Sequence, residues 1–143
     1  MFTSDHPAID VLQSFFDEMN QWERERAQLF FDRHQLGPDE YLRLRAVKKE
    51  RLTDIFRQYC EVGDEAERVQ GMGSFSPDAP MHEGEVVTGI EEKRNKVIVE
   101  TTSPQEGGWD YRYELVLVGD AYLLRDCRKR RIIGKDKWSK DML

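Results

Sequence analysis

The chain has 143 residues, a formal net charge of −6, and 38% hydrophobic against 35% charged residues. A chain of this length can form one domain that buries about two-thirds of its unfolded surface, and its short apolar runs exclude a membrane span. The acidic balance argues against a general nucleic-acid binder, and an N-terminus with neither a basic start nor an apolar signal core favours the cytoplasm.

The charges are distributed unevenly along the chain. Residues 1–65 carry 14 acids and 9 bases, residues 66–124 carry 11 and 5, and residues 125–143 carry 3 and 8. The basic stretch at the end is short and lacks interleaved aromatic residues. We therefore interpret it as a solvated strand end and tail rather than as a nucleic-acid site.

The first predicted helix begins near Pro7 and runs to about His34. Ser4 or Asp5 can cap it, and proline fits the first turn, where its missing N–H has no helical partner. Apolar residues recur at helical spacing, which is typical of one buried face. This stripe consists of Ile9, Leu12, Phe16, Met19, Trp22, Ala27 and Phe30.

A second helix is predicted from Pro38 to a point near Gly63. Gly37 and Pro38 interrupt the first pattern, and a glycine is a common residue just beyond a helix end. Its buried stripe consists of Tyr41, Leu44, Val47, Leu52, Ile55 and Tyr59. We interpret the charged runs 23–26 and 43–51 as solvated helix faces.

The pattern changes to a period of two after the helices. A weak strand is predicted around 68–75, followed by a two-proline loop at 76–80 and a hairpin of 85–92 with 96–102. Its turn lies within 92–95. The predicted shared face contains Val86, Thr88, Ile90, Val97, Val99 and Thr101.

The last hairpin turns at Gly119 and Asp120, because this pair can adopt the positive φ values of a two-residue loop. Val118 then pairs with Ala121, and uninterrupted pairing puts Glu114 opposite Arg125 and Asp110 opposite Lys129. The expected core face contains Trp109, Tyr111, Tyr113, Leu115, Leu117, Tyr122, Leu124, Asp126 and Arg128. These residues form a large aromatic and leucine surface that needs a cover.

Helices first and an antiparallel sheet afterwards predict an α+β fold. We expect two long N-terminal helices packed on a curved antiparallel sheet of four to five strands. No internal repeat or linker divides the sequence, so a single domain over residues 1–143 is expected.

Cysteine and histidine patterns offer no metal or cofactor site. Cys60 and Cys127 stand alone without CxxC spacing, so buried reduced thiols are expected. His6, His34 and His82 are far apart in sequence, and surface or capping roles suffice for them. We expect neither a metal nor a cofactor.

The loop 71–84 is the best candidate for a partner-binding surface, because it places aromatic, Met and His side chains among glycines and prolines. A plain strand connection whose Phe75 and Met81 cap the core is the competing interpretation. Trp109, beside two glycines at a strand entrance, is either half exposed or packed in the core. The predicted partner-binding residues are Phe75, Asp78, Met81, His82, Glu83 and Trp109.

Several strings in this order resemble bacterial immunity proteins with a nuclear transport factor 2-like (cystatin-like, cone-shaped) fold from polymorphic toxin systems. The resemblance covers about residue 15 to the C-terminus. One departure is Tyr122, where the family pattern leads us to expect a tryptophan. The matching strings are 22–23, 54–60, 96–101, 111–115, 121–126 and 134–143.

The resemblance implies a non-enzymatic cytoplasmic protein that binds a cognate toxin domain and blocks it. A strongly acidic domain can steer toward a basic partner such as a nuclease toxin. The toxin's identity does not follow, because one fold hosts many interfaces. A homodimer that pairs through the mixed face of the sheet is compatible with this function.

An enzyme or small-molecule-binding protein is the alternative, since proteins of this cone shape include isomerases and dehydratases. Uninterrupted pairing puts Asp126 opposite Tyr113 on the core face, where a carboxylate could act as a base. An enzyme needs an open pocket with Asp126 on its wall. The binding protein should instead have its interior filled by Phe16, Met19, Tyr111, Tyr113 and Leu115.

Overall fold

The computed structural model describes residues 6–61, 84–103, 109–131 and 138–140. Two helices and five strands lie in these ranges: α1 Pro7–Asp32, α2 Pro38–Tyr59, β1 Val86–Lys93, β2 Lys96–Thr102, β3 Trp109–Val118, β4 Ala121–Arg131 and β5 Ser139–Lys140. Neither of these helices is long and apolar enough to cross a bilayer. The predicted caps Ser4 and Asp5, the strand at 68–75 and the loop 76–80 lie outside the described residues.

Two long helices followed by a five-stranded antiparallel sheet confirm the predicted α+β class. The chain divides into two compact units. The sheet unit comprises Met1–Ser14, Tyr59–Glu61 and Gly84–Leu143, and the hairpin unit comprises Phe15–Gln58 and Val62–Glu83. The expectation of a single domain over 1–143 stays a prediction.

The sheet has the simple order β1-β2-β3-β4-β5. Both predicted turns are confirmed: β1 and β2 meet at Arg94 and Asn95, and β3 and β4 meet at Gly119 and Asp120. Asn95 and Gly119 take positive φ values of 61° and 63°, in the left-handed region that glycine and asparagine tolerate best. Because strands that follow one another are neighbours, these turns set the initial register of both hairpins.

A β-bulge changes the register between β3 and β4. Pairing runs as predicted from Val118 and Ala121 to Leu115 and Leu124, but the next pair is Glu114 with Asp126, so Arg125 is the extra residue. The predicted pairs of Glu114 with Arg125 and Asp110 with Lys129 are therefore wrong. A single unpaired residue exchanges the two faces of the strand beyond it, as bulges do.

This exchange replaces an acid by a thiol on the core face of β4. Cys127, not Asp126, lies opposite Tyr113, and Cys127 is buried whereas Asp126 is half-buried. Cys60 is also buried, and neither cysteine forms a disulfide, which confirms the predicted buried thiols. Leu117, predicted in the core, is exposed near the turn of the β3–β4 hairpin.

A second bulge lies between β1 and β2. Val87 pairs with Thr101, while Gly89 pairs with Glu100, so Thr88 is the extra residue. Ile90 pairs with Val99 and shares its face, as predicted. Val86 is exposed and lies opposite Thr102, so its predicted place beside Thr101 is wrong.

The start of α1 is fixed within the sheet unit by His6. The Nδ1 atom of His6 accepts the backbone N–H of Ala8 at 3.0 Å, so the imidazole caps the helix as expected. Since Nδ1 accepts, Nε2 carries the proton that is donated to the carboxylate of Glu92 on β1. The ring also lies 5.7 Å from the ring of Tyr122 on β4.

The end of α2 is tied to the same sheet by the segment that follows the helix. Cys60 forms a parallel bridge with Leu124, and the N–H of Glu61 donates to the carbonyl of Leu124 at 2.8 Å. The guanidinium of Arg125, the bulged residue, donates to the Glu61 carboxylate at 2.7 and 3.3 Å. The bulge therefore turns Arg125 outward to a charged partner.

The hairpin unit buries aromatic rings from both helices. Phe15 and Phe56 lie 6.3 Å apart between ring centroids, and Trp22 donates its indole N–H to the carbonyl of Lys48 at 2.8 Å. The two predicted stripes are only partly correct, because Phe30 and Val47 are exposed. The buried residues of this unit are Phe15, Phe16, Met19, Trp22, Glu23, Ala27, Leu29, Leu52, Ile55 and Phe56.

Burial of Glu23 corrects the interpretation of 23–26 as a solvated face, since this carboxylate-bearing residue lies inside. The run 43–51 is exposed apart from half-buried Leu44 and Lys48, in agreement with the sequence pattern.

The bulge predicts unequal tolerance at two adjacent positions of β4. Cys127→Asp should lower the free energy of unfolding by roughly 3–5 kcal/mol, because it buries a carboxylate beside Tyr113. Asp126→Asn should cost about 1 kcal/mol or less, because this side chain is half-buried. Urea unfolding of both variants measures the difference. The opposite ranking would show that the uninterrupted register is correct.

Candidate partner-binding surfaces

Of the predicted partner-binding residues, only Trp109 lies in the described part of the chain. It is half-buried at the first position of β3, where it pairs with Arg131, and its carbonyl accepts the N–H of Ser103 at 3.0 Å. Half-burial agrees with the first of the two alternatives, an indole that is half exposed at the strand entrance. The remaining predicted residues, Phe75, Asp78, Met81, His82 and Glu83, lie outside the described residues.

The enzyme alternative required Asp126 beside Tyr113, and the structure does not place them together. The β3–β4 bulge puts Asp126 opposite Glu114, on the other face of the sheet. Glu114 is bound there by the ammonium group of Lys96 at 3.0 Å. Two carboxylates that face each other across strands repel, and the Lys96 ammonium offsets this repulsion.

Glu85 takes the place on Tyr113 that Asp126 was expected to have. The phenol of Tyr113 donates to the Glu85 carboxylate at 2.8 Å, and the hydroxyl of Thr101 donates to the same oxygen. Glu85 directly precedes β1, Thr101 lies on β2 and Tyr113 on β3. One carboxylate therefore joins three neighbouring segments of the sheet unit.

This cluster is closed to solvent, since Glu85, Thr101 and Tyr113 are all buried. Burial raises the pKa of the Tyr113 phenol well above its usual range, and the negative charge of Glu85 adds to this shift. The phenol is consequently a permanent hydrogen-bond donor near neutral pH. Its stacked neighbour Tyr111, 6.0 Å away between centroids, covers one side of the ring.

A buried carboxylate that accepts hydrogen bonds from two hydroxyl groups of the same protein is typical of a group that stabilises the fold. Catalysis would require a substrate to reach the Glu85 carboxylate. In this structure the side chains of Glu85, Thr101 and Tyr113 are all buried. Of the residues expected to fill the interior, Phe16 and Met19 are buried in the hairpin unit, and Tyr111, Tyr113 and Leu115 are buried in the sheet unit.

A surface cleft of about 300 Å³ lies along one side of the hairpin unit. Its walls are joined by two ion pairs, Lys48 to Glu25 at 3.0 Å and Arg51 to Glu18 at 2.8 Å. Trp22, bound to the Lys48 carbonyl, closes its floor. Because the two acids of α1 that line the cleft, Glu18 and Glu25, each hold a cation of α2, the charges of the cleft are paired.

The end of the hairpin unit where α1 stops exposes aromatic surface. Phe31 is 57% exposed and Phe30 is 40% exposed, with their ring centroids 6.5 Å apart in an edge-to-face arrangement. The guanidinium of Arg33 lies 3.8 Å from the centroid of the Phe30 ring and donates to the Phe30 carbonyl at 2.6 Å. Phenylalanine and arginine are both enriched in protein interfaces relative to the rest of the surface.

Sequence patterns could have identified only part of these features. Phe30 fits the helical period of the first stripe and was therefore assigned to the core, although Phe31 beside it breaks that period. No local sequence pattern indicates that Glu85 is buried, because its hydrogen-bond partners, Thr101 and Tyr113, are distant in sequence.

The Tyr113 phenol predicts a stability change in alkaline solution. Its pKa is raised in the folded state, so its contribution to stability is complete below the unfolded value of about 10 and is lost as pH rises toward the folded value. We expect the wild-type protein to lose more stability than Tyr113→Phe between about pH 9 and 11. Urea unfolding across this range measures the loss. Equal pH dependence of the two proteins would contradict the assigned shift.

Comparison with known proteins identifies the family. The family model described as NTF2 fold immunity protein matches residues 7–142, which is nearly the whole chain. Searches of curated proteins and of solved structures found no match. The matched range includes both helices and all five strands. The chain therefore belongs to the NTF2 fold immunity protein family.

Proposed function

We propose that this protein neutralises a cognate bacterial toxin by binding the toxin domain directly. The observation that carries the proposal is the family match over residues 7–142, since an immunity protein protects against a toxin. Direct protein binding is the simplest mechanism for a small domain in which the buried carboxylate of Glu85 already accepts hydrogen bonds from Tyr113 and Thr101 of the same chain.

The partner that fits this chain is a basic toxin domain, such as a nuclease of a polymorphic toxin system. The net charge of −6 creates a long-range attraction for a positive partner. Such attraction raises the association rate more than it raises the final affinity. The protein acts in the cytoplasm, where a nuclease would meet its substrate.

The protein acts without catalysis. The pairing of Asp126 with Glu114 removes the only acid–phenol pair that the sequence had offered as a general base. The other acid–phenol pair, Glu85 with Tyr113, is buried. Neither pair is positioned to receive a substrate, which supports a binding role over an isomerase-like one.

A homodimer through the mixed face of the sheet stays a prediction. This face carries alternating charges, with Arg112 bound to Glu100 at 2.8 Å and its guanidinium 4.5 Å from the ring centroid of Trp138. Alternating charges can pair with those of a second copy across a two-fold axis. Sedimentation of the purified protein distinguishes monomer from dimer.

Co-expression with the toxin encoded beside this gene tests the proposed function. We expect growth to be restored, and the purified protein to bind an inactivated form of the same toxin domain. The association rate should fall as sodium chloride concentration rises, because added ions screen the attraction.

An unrelated toxin domain with the same activity serves as the control and should remain lethal. If the neighbouring toxin also remained lethal and formed no complex, direct neutralisation would be wrong for this protein.

A further inference from the structure

We draw no further inference here: the strongest candidate, the surface cleft between α1 and α2 that Trp22 and Val47 line, has its flanking charges already paired within the chain, and nothing in the structure shows what covers it.

Discussion

The β-bulge at Arg125 determines which side chains of β4 lie on the core face of the sheet. Without it, continued pairing would put Asp126 on the core face beside Tyr113 and Cys127 on the opposite face. With it, a small thiol fills the core position and the acid moves out to the charged face, where Lys96 binds the neighbouring Glu114. A buried carboxylate without ionic or hydrogen-bond partners is costly, whereas a buried thiol behaves as a small apolar group. The bulge also frees the Arg125 guanidinium to reach Glu61.

The same change leaves the Tyr113 phenol available to Glu85. This carboxylate accepts two hydroxyl donors from adjacent strands, so it joins the beginning of β1 to β2 and β3 through a single group. Hydrogen bonds to a buried charged group contribute more than neutral ones, and removal of a donor leaves part of the charge unsatisfied. These hydrogen bonds add to the attachment of β1, which is an edge strand of the described sheet and pairs with β2 only. An acid used in this way stabilises structure and is not available to a substrate.

Sequence patterns predicted much of the backbone and little of the interface. The Gly119–Asp120 turn, the turn at Arg94–Asn95 and both helix starts follow from local residue preferences, and all are present. Gly89 within β1 is a local indication of the bulge at Thr88, because an isolated glycine inside a strand often marks a bulge. The bulge at Arg125 has no such mark, because the packing of distant side chains selects the extra residue. Phe30 was misassigned for a related reason: helical periodicity shows which residues share a face but not where the core ends along the helix. Of the predicted partner-binding residues, Trp109 alone lies in the described chain, half-buried at its strand entrance.

The two sides of the hairpin unit differ in what they leave for a partner. In the cleft, each acid of α1 already holds a cation of α2, so an incoming charged group would have to displace an existing ion pair and would gain little from the exchange. At the end where α1 stops, Phe31 contacts mainly solvent on its exposed face, and neither Asp32 nor Asp39 has an ion-pair partner among the described residues. The amide of Gln28 nevertheless binds the Asp32 carboxylate, and the Arg33 guanidinium on the Phe30 ring supplies a positive charge at the same end of the hairpin unit. The two surfaces therefore differ in the number of ion pairs that an incoming charged group would have to break.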